Sequence, residues 1–340
     1  MRNTLLKKSS AIISSDSLPT DPDDAPDAGP DIEWRVLVAS PAQHGARLDK
    51  ALADGLSEFS RSYLQQLIED GSVMVNGHLQ VKPSSRLKAG DSCRIGLRPT
   101  PQSQSFRAEE MALEVVFEDS HLLVIHKPAG LVVHPAPGNW SGTLLNGLLA
   151  FAPEFADLPR AGIVHRLDKD TSGLMLVART RASMDVLVRM IAERQVQRQY
   201  LALAHKHWSG PLKREVQSVI GRDPSNRLRM AVVDPGRQPG KPARTTVEWV
   251  DGNERTSLVR CTLHTGRTHQ IRVHMASLGH PLIGDQTYGG APGLMLQRQA
   301  LHAYHLALPH PHTGAGLDFL APLPLDMDAE LKQQGLRYNF

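Results

Sequence analysis

The sequence of 340 residues is 41% hydrophobic and 21% charged, which is typical of a soluble globular protein with two domains of ordinary size. No apolar run approaches the roughly 20 residues that a membrane-spanning helix needs. The apolar stretch Ala11–Ile13 is too short for the core of a signal peptide. The two cysteines, Cys93 and Cys261, cannot form a disulfide framework and have no metal-ligand spacing. We therefore expect a cytoplasmic protein with no membrane-embedded part.

The charge is unevenly distributed along the chain. Residues 1–34 contain seven acidic and three basic side chains, so the rest of the chain carries 35 basic and 28 acidic residues, a net charge of +7. The first 34 residues are rich in Asp, Pro, Ser and Ala, and this composition predicts a disordered acidic tail. The basic body favours a polyanionic partner, although charge alone is compatible with many other partners.

Residues 45–98 are predicted to form a small separate domain. Leucines at helical spacing predict a first helix over residues 47–56. Ser60 is a suitable N-cap for a second helix, which Gly71 ends. Two short strands joined by a tight turn at Asn76-Gly77 follow, and another strand completes the domain.

This small domain resembles the S4 RNA-binding domain. The resemblance lies in the order of its elements, in the helix start at Ser60-Arg61 and in the turn at Val75-Asn76-Gly77. It implies contacts with RNA, and the basic residues predicted to make them are Arg47, Lys50, Arg61 and Lys82. The alternative is a small α+β domain with ordinary surface lysines.

Residues 99–111 are predicted to be a polar linker, and residues 112–335 to be a second, larger domain. Strand-like and helical runs alternate irregularly in this domain, without an internal repeat. The predicted helices are Leu144–Phe151 and Met184–Ile191. The predicted strands are Leu113–Phe117, Leu122–Ile125, Leu174–Val177, Tyr200–Ala204, Thr245–Val250 and Leu258–Leu263. We therefore expect an α+β fold in which helices and loops flank a mixed, mainly antiparallel sheet.

The most unusual segment of the chain is residues 162–173. There an apolar strand end runs into a dense polar loop, His165–Asp170, and then into another apolar strand. Charged residues between two core strands lie where a sheet presents them to a cleft. A solvated turn has the same pattern, so the pattern alone leaves both interpretations open.

Four motifs, in order along the chain, resemble those of the RluA-type pseudouridine synthases. They are His126–Pro135 (HKPAGLVVHP), His165–Gly173 (HRLDKDTSG), Arg198–Ala202 (RQYLA) and Thr265–His274 (TGRTHQIRVH). The resemblance implies an enzyme that isomerises specific uridines to pseudouridine in large-subunit (23S) ribosomal RNA, without a cofactor or a metal. A sister enzyme that acts on other RNA sites is the alternative within the family.

The resemblance also implies a set of catalytic residues. Asp168 is the implied catalytic carboxylate, which can act as a nucleophile, as a base or as a stabiliser of developing positive charge. Arg272 is the implied cation that keeps this carboxylate ionised, on a helix predicted to be capped near Thr268 and to end at Gly279. Tyr200 is implied to pack on the uracil ring.

Other residues are expected beside the RNA. The target base must leave its stack, and Arg166 is expected to occupy the vacated space and to contact phosphate. His165 and Lys127 are also predicted to take part in RNA binding or base flipping. Asp170 and Asp285 are expected near the site without an assigned chemical role.

Other reaction classes fit the sequence less well. His264, His269 and His274 are five residues apart, a spacing that drifts around a helix and does not converge on a metal. Asp168 and Asp170 lie in one loop and are poorly placed to flank a sugar as a glycoside hydrolase pair.

The serious alternative is a non-catalytic RNA-binding or ribosome-assembly protein built on an S4 module. An inactive relative is expected to have lost at least one residue of the implied site. All four are present: Arg166, Asp168, Tyr200 and Arg272. We therefore expect an active, monomeric enzyme whose partner is RNA, including RNA within pre-ribosomal particles.

Overall fold

The computed structural model describes residues 33–57, 59–97, 105–136, 138–226 and 228–338. The chain divides into two compact units, Met1–Thr100 and Pro101–Phe340. Residues 1–32 of the predicted acidic tail and 99–104 of the predicted linker lie outside the described residues. None of the helices in the described ranges is both long and apolar enough to cross a membrane.

The first unit combines two helices with a small antiparallel sheet. The helices are α1 (Leu48–Gly55) and α2 (Arg61–Glu69). The strands are β1 (Glu33–Val38), β2 (Val73–Val75), β3 (His78–Leu79) and β4 (Ser92–Leu97). The strands lie in the order β1-β4-β2-β3. The predicted order of helices and strands is confirmed. The sequence did not predict β1, whose first two residues, Glu33 and Trp34, fall in the predicted disordered tail; they are in a strand because β1 pairs along its length with the distant β4.

A buried carboxylate holds the two helices of this unit together. Asp49 is fully buried and accepts hydrogen bonds from Arg47 Nε (3.0 Å), Arg61 Nη2 (2.8 Å) and Gln65 Nε2 (2.7 Å). The bond from Arg47 is the largest of the effects that hold the pKa of Asp49 well below its usual range. Arg61, which is predicted to contact RNA, therefore also joins α2 to α1, and Arg47 pairs with Asp49 at the start of α1; both arginine side chains are roughly half exposed.

The second unit contains a ten-stranded sheet. Its helices are α3 (Leu144–Phe151), α4 (Arg181–Ala192), α5 (Gln270–Ser277) and α6 (Leu325–Gln333). Its strands are β5 (Glu114–Glu118), β6 (Leu122–Lys127), β7 (Ser172–Ala178), β8 (Gln197–His205), β9 (Lys213–Arg222), β10 (Met230–Val232), β11 (Gly240–Gly252), β12 (Thr256–Leu263), β13 (Leu301–Pro309) and β14 (Gly316–Leu320).

The strands of this sheet follow the order β10-β9-β11-β12-β8-β13-β7-β6-β5, and β14 pairs with β13. Among the described strands, β7 and β13 form the one parallel pair, so the predicted mixed, mainly antiparallel sheet is confirmed. The largest hydrophobic core lies between one face of the sheet and α3 and α5. The central strands β8 and β13 are thus covered by apolar side chains, and the polar loop before β7 emerges beside them.

A close backbone contact fixes where that polar loop enters the sheet. Gly173, at the start of β7, lies opposite Ala303 of β13. Its φ is +119°, and a Cβ at this position would collide with the carbonyl oxygen of Ala303. Only glycine fits here, since it has no side chain and tolerates positive φ. The start of β7 is therefore held in one position relative to β13.

The last part of the predicted linker packs on the second unit. Asn146 of α3 is buried, and its side-chain Nδ2 donates to the carbonyl oxygens of Ser105 (3.1 Å) and Arg107 (2.8 Å). A buried amide needs such partners. The backbone at Ser105 and Arg107 is thus held against α3 by these two hydrogen bonds.

The Asp49 network predicts a pH-dependent contribution to the stability of the first unit. Asp49→Asn is expected to lower the free energy of unfolding by about 1–3 kcal/mol, because charge-assisted hydrogen bonds are lost. Because the pKa of Asp49 is lowered by folding, the stabilisation is present above the ordinary aspartate pKa of about 4 and is lost as the pH falls further.

Thermal unfolding between pH 3 and pH 7, followed by circular dichroism, measures this effect. Asp54→Asn is the control, because Asp54 lies exposed on the same helix. Equal stabilities of the two variants across this pH range would contradict the assignment.

Candidate active site

Asp168 lies in the polar loop that precedes β7, and the first motif holds this loop from one side. Lys127 is fully buried, and its Nζ donates to the carbonyl oxygens of Pro128 (2.8 Å), Leu131 (2.8 Å) and Lys169 (2.9 Å). Burial lowers the pKa of Lys127 to about 7. The amino group of Lys127 is thus surrounded by backbone carbonyls and holds the loop, while its predicted part in RNA binding stays a prediction.

His165 also holds the loop through a backbone contact. Its Nε2 accepts a hydrogen bond from the backbone N–H of Leu176 in β7 (2.9 Å). Burial, with a smaller contribution from the nearby Arg198, lowers the pKa of His165 to about 3. The ring is therefore neutral at physiological pH. His165 lines the cleft beside Asp168, but it does not supply the positive charge that a phosphate contact would use.

The segment before β13 holds the other side of the loop. Arg298 Nη1 donates to the carbonyl oxygen of Asp170 (2.8 Å), and Gln299 Nε2 donates to Thr171 Oγ1 (3.3 Å). The backbone of the loop is therefore fixed after Asp168 as well as before it.

The guanidinium of Arg272 joins two carboxylates. Its Nε and Nη2 donate to the two oxygens of Asp285 (2.7 and 2.8 Å), and its Nη1 donates to Asp168 Oδ2 (3.1 Å). Asp285 is buried, and the side chain of Arg272 is only 7% exposed. Burial alone would lower the pKa of Arg272, but the bonds to Asp285 and Asp168 raise it above its usual value. Arg272 is thus a permanent cation beside Asp168, at the position that the sequence predicts.

Helix α5, which carries Arg272, begins close to the predicted position. A cap was predicted near Thr268, and the N-cap position is the next residue, His269, in a left-handed conformation (φ 56°) with no hydrogen bond from its side chain to the helix. Instead, Gln270 Oε1 accepts from the backbone N–H of Arg267 (3.0 Å) and from Thr265 Oγ1 (2.7 Å). The side chain of Gln270 thereby stabilises the turn that leads into α5.

The sequence analysis did not find Tyr288. The guanidinium carbon of Arg272 lies 5.0 Å from the centre of the Tyr288 ring, within the range of a cation–π contact. The Tyr288 hydroxyl is 2.8 Å from Nδ1 of His269, and Nε2 of the same histidine is 4.0 Å from Asp168 Oδ1. Burial lowers the pKa of His269, so this ring is neutral. Tyr288 lies eleven residues after the end of α5, and no sequence pattern links it to Arg272.

Asp168 lies between two clefts. A small cavity of about 50 Å³ is lined by Asp168, Tyr200 and Arg272 together. Tyr200 is buried, and burial raises its pKa to about 12, so its hydroxyl is protonated at physiological pH. The first cleft, of about 580 Å³, contains Asp168 and Tyr200. The second, of about 910 Å³, contains Asp168, Arg272 and Asp285.

The first cleft is strongly basic. Five arginines line it: Arg160, Arg166, Arg194, Arg198 and Arg267. Among the described residues that line it, Asp168 is the one acidic side chain. Arg166 is exposed and lines both clefts. A groove with this charge suits the phosphate backbone of a single strand of nucleic acid.

The remaining residues predicted to contact RNA belong to the first unit. Lys50 and Lys82 are exposed. Arg47 and Arg61 are partly exposed and pair with Asp49. The first unit thus presents basic side chains to solvent, as a nucleic-acid-binding domain does.

Comparisons with known proteins show which families this chain resembles. The model of the family described as RNA pseudouridylate synthase matches residues 121–277, and that of the S4 domain matches residues 46–93. "Ribosomal large subunit pseudouridine synthase D" of Neisseria meningitidis serogroup A is 48% identical over 307 residues, which cover 87% of this chain and 80% of the relative. The relative of the same name from Nitrosomonas europaea is 48% identical over 298 residues, which cover 85% of this chain and 84% of the relative.

A solved structure adds to these matches. "Human RNA Pseudouridylate Synthase Domain Containing 1" is 28% identical, with a TM-score of 0.52, and the match covers 64% of this chain and 87% of that one. The fold, the S4 domain and an Asp168–Arg272 pair whose carboxylate also lines a basic cleft are those of an RNA-modifying isomerase. The chain belongs to the RNA pseudouridylate synthase family.

The contact between Asp285 and Arg272 predicts a rate effect. Asp285→Asn keeps the size of the side chain but removes the charge that orients the guanidinium toward Asp168. We expect the turnover number to fall about 100-fold, because a small displacement of a catalytic group is costly, while the affinity for RNA changes little.

Single-turnover rates and RNA binding measured on the same preparations test this expectation. Asp185→Asn is the matched control, because Asp185 is exposed on α4 and pairs only with Arg181 among the described residues. A full turnover rate in Asp285→Asn would show that the orientation of Arg272 is not needed.

Proposed function

We propose that this enzyme isomerises uridines in large-subunit ribosomal RNA and that Asp168 is its catalytic carboxylate. The observation that carries the proposal is the 3.1 Å contact between Asp168 and Arg272, at a cavity that Tyr200 also lines. The proposed substrate is supported by two relatives that are named as large-subunit enzymes. The match covers 80% and 84% of their length.

The reaction rearranges one nucleotide without oxidation or reduction. The bond between N1 of uracil and C1′ of ribose breaks, the uracil turns, and C5 forms a new bond to C1′. The proton on C5 is lost, and N1 takes up a proton, so atoms and charges balance.

Three roles of Asp168 would promote this rearrangement. As a nucleophile it bonds to C1′ as the N1–C1′ bond breaks and leaves again when C5 bonds to C1′; as a base it removes a proton from the sugar and later returns it; as a stabiliser it lies beside the positive charge that develops on the sugar. All three need an ionised carboxylate, and Arg272 supplies the adjacent positive charge. Neither His269 nor His165 supplies such a positive charge at neutral pH, because burial lowers the pKa of both rings.

The base reaches Asp168 only after it has left the RNA stack, which costs a few kcal/mol. Arg166 is proposed to occupy the space that the base vacates, since it is exposed and lines both clefts beside Asp168. Tyr200 is proposed to pack on the uracil, since it is the aromatic residue of the 50 Å³ cavity. Its buried, protonated hydroxyl suits a packing role.

The S4 domain is proposed to increase affinity and selectivity for the RNA. The enzyme is further proposed to act as a monomer in the cytoplasm. Its ribosomal RNA substrate is proposed to include RNA within pre-ribosomal particles. The basic residues of the S4 domain support the first of these proposals, because charge that neutralises phosphates increases RNA affinity.

Asp168→Asn is expected to lower turnover at least about 1000-fold while RNA binding is retained, because the variant keeps the shape of the side chain but loses its charge. Isomerisation releases the C5 hydrogen, so tritium release from C5-tritiated uridine in unmodified large-subunit ribosomal RNA measures the reaction. Tritium release by Asp168→Asn at the wild-type rate would refute the role of Asp168. No release by the wild type from this RNA, with release from transfer or small-subunit RNA, would refute the proposed substrate.

The double variant Lys50→Ala/Lys82→Ala is expected to bind RNA more weakly and to keep its single-turnover rate at saturating RNA. Each lost phosphate contact should lower the slope of log affinity against log salt concentration by about 0.7. Lys213→Ala is a control outside the S4 domain, since Lys213 is exposed and pairs with Glu248. An unchanged salt slope in the double variant would contradict a role of these lysines in RNA binding.

A further inference from the structure

We propose that Arg198 binds a phosphate group of the RNA strand in the first cleft, namely the phosphate of the nucleotide whose base packs on Tyr200. The proposal rests on the proposed function, since it assumes that the target nucleotide enters this cleft. Arg198 would position the RNA through a phosphate of the RNA backbone, whereas the other residues of the site act on the base and the sugar.

Arg198 is a buried cation without a partner. The residue is 6% exposed, and none of the described residues forms a hydrogen bond or an ion pair with its guanidinium. Arginine is always charged in proteins, and a buried charge is costly unless a counter-charge and hydrogen bonds compensate it. By contrast, each of the three guanidinium nitrogens of Arg272 donates a hydrogen bond to one of two carboxylates. The free protein therefore keeps one arginine of the site with a buried, unpaired Nε and no acidic partner among the described residues, and an anion in the cleft would supply that partner.

The surroundings of Arg198 are open to a ligand. It lines the first cleft, and its Nη1 lies 3.3 Å from the position that a Cβ of Gly266 would occupy. The motif Thr265–His274 thus has no side chain at Gly266, where one would crowd the guanidinium. Asp168 is the one acidic residue among the described lining of this cleft, and Arg272 already pairs with it. The described residues thus supply no counter-ion for Arg198, and a phosphate of the RNA would supply one.

The position of Arg198 along β8 identifies the group it binds. Arg198 and Tyr200 are two residues apart on one strand, so both side chains leave the same face of the sheet, roughly 7 Å apart at the backbone. This is about the distance between the base and the phosphate of one nucleotide. A phosphate presents several oxygens to the planar fork of an arginine, and paired hydrogen bonds of this kind are strong.

Arg198→Met separates ligand binding from structural support. Methionine fills a similar volume without charge, so the variant loses the phosphate contact and also the cost of the unpaired cation. We expect the affinity for unmodified large-subunit ribosomal RNA to fall about 10- to 100-fold and the salt slope to decrease by about 0.7. The melting temperature of the free protein should stay the same or rise.

Two further variants sharpen this test. Arg198→Lys keeps a positive charge and should retain the salt slope with part of the affinity. Arg181→Met is the matched control and should change neither, because Arg181 is 67% exposed and pairs with Asp185. A lower melting temperature in Arg198→Met with unchanged RNA affinity would overturn the proposal, because it would show a purely structural role.

A small probe separates this proposal from the choice of RNA substrate. Uridine 5′-monophosphate should raise the melting temperature of the wild-type protein more than uridine does, and Arg198→Met should abolish that difference. This result would support the phosphate site even if large-subunit RNA proved not to be the substrate. Equal effects of nucleotide and nucleoside on the wild type would overturn the site, whichever RNA the enzyme modifies.

Discussion

The guanidinium of Arg272 is the constraint on which the rest of the site depends. Burying an arginine costs less free energy when acidic groups accept its hydrogen bonds, and here Asp285 accepts two of them and Asp168 a third. Asp285 is presented by Gly284, whose φ is +74° and where a Cβ would collide with the carbonyl oxygen of Arg298. The same arginine, Arg298, donates to the backbone of the loop that carries Asp168. The loop, the turn before Asp285 and helix α5 are therefore fixed by one set of contacts.

This arrangement divides the charges of the site into two groups with different tasks. Arg272 holds the carboxylates of Asp168 and Asp285. Asp168 is the one acidic side chain in the described lining of the first cleft, so no unpaired carboxylate there repels an incoming anion. The remaining arginines of that cleft face the space that RNA is proposed to enter. A fixed anionic centre beside a basic groove lets the enzyme attract a polyanion and still place a carboxylate beside its sugar.

The sequence predicted the parts of this structure that depend on local patterns. Helix α3 has the predicted bounds, Leu144–Phe151. Thr143 and Asn146 form a capping box at its start, and most residues of the helix are apolar. The positions of Asp168 and Arg272 followed from motifs whose spacing is diagnostic of the family. The fate of Lys127 was not predictable, because its partners are carbonyls contributed by two separate segments of the chain. Strand β1 and Tyr288 escaped detection for a similar reason, since each acquires its role only through distant contacts.

The most direct test of this account is a double-mutant cycle on Asp285→Asn and Arg272→Lys, measured as single-turnover rates on the same RNA. If Asp285 acts by orienting Arg272 toward Asp168, the two changes affect one interaction and their effects are not additive. The account predicts that the double variant is no slower than Arg272→Lys alone. A double variant whose loss of rate equals the product of the two single losses would show that Asp285 and Arg272 act independently, and would contradict the central role of their contact.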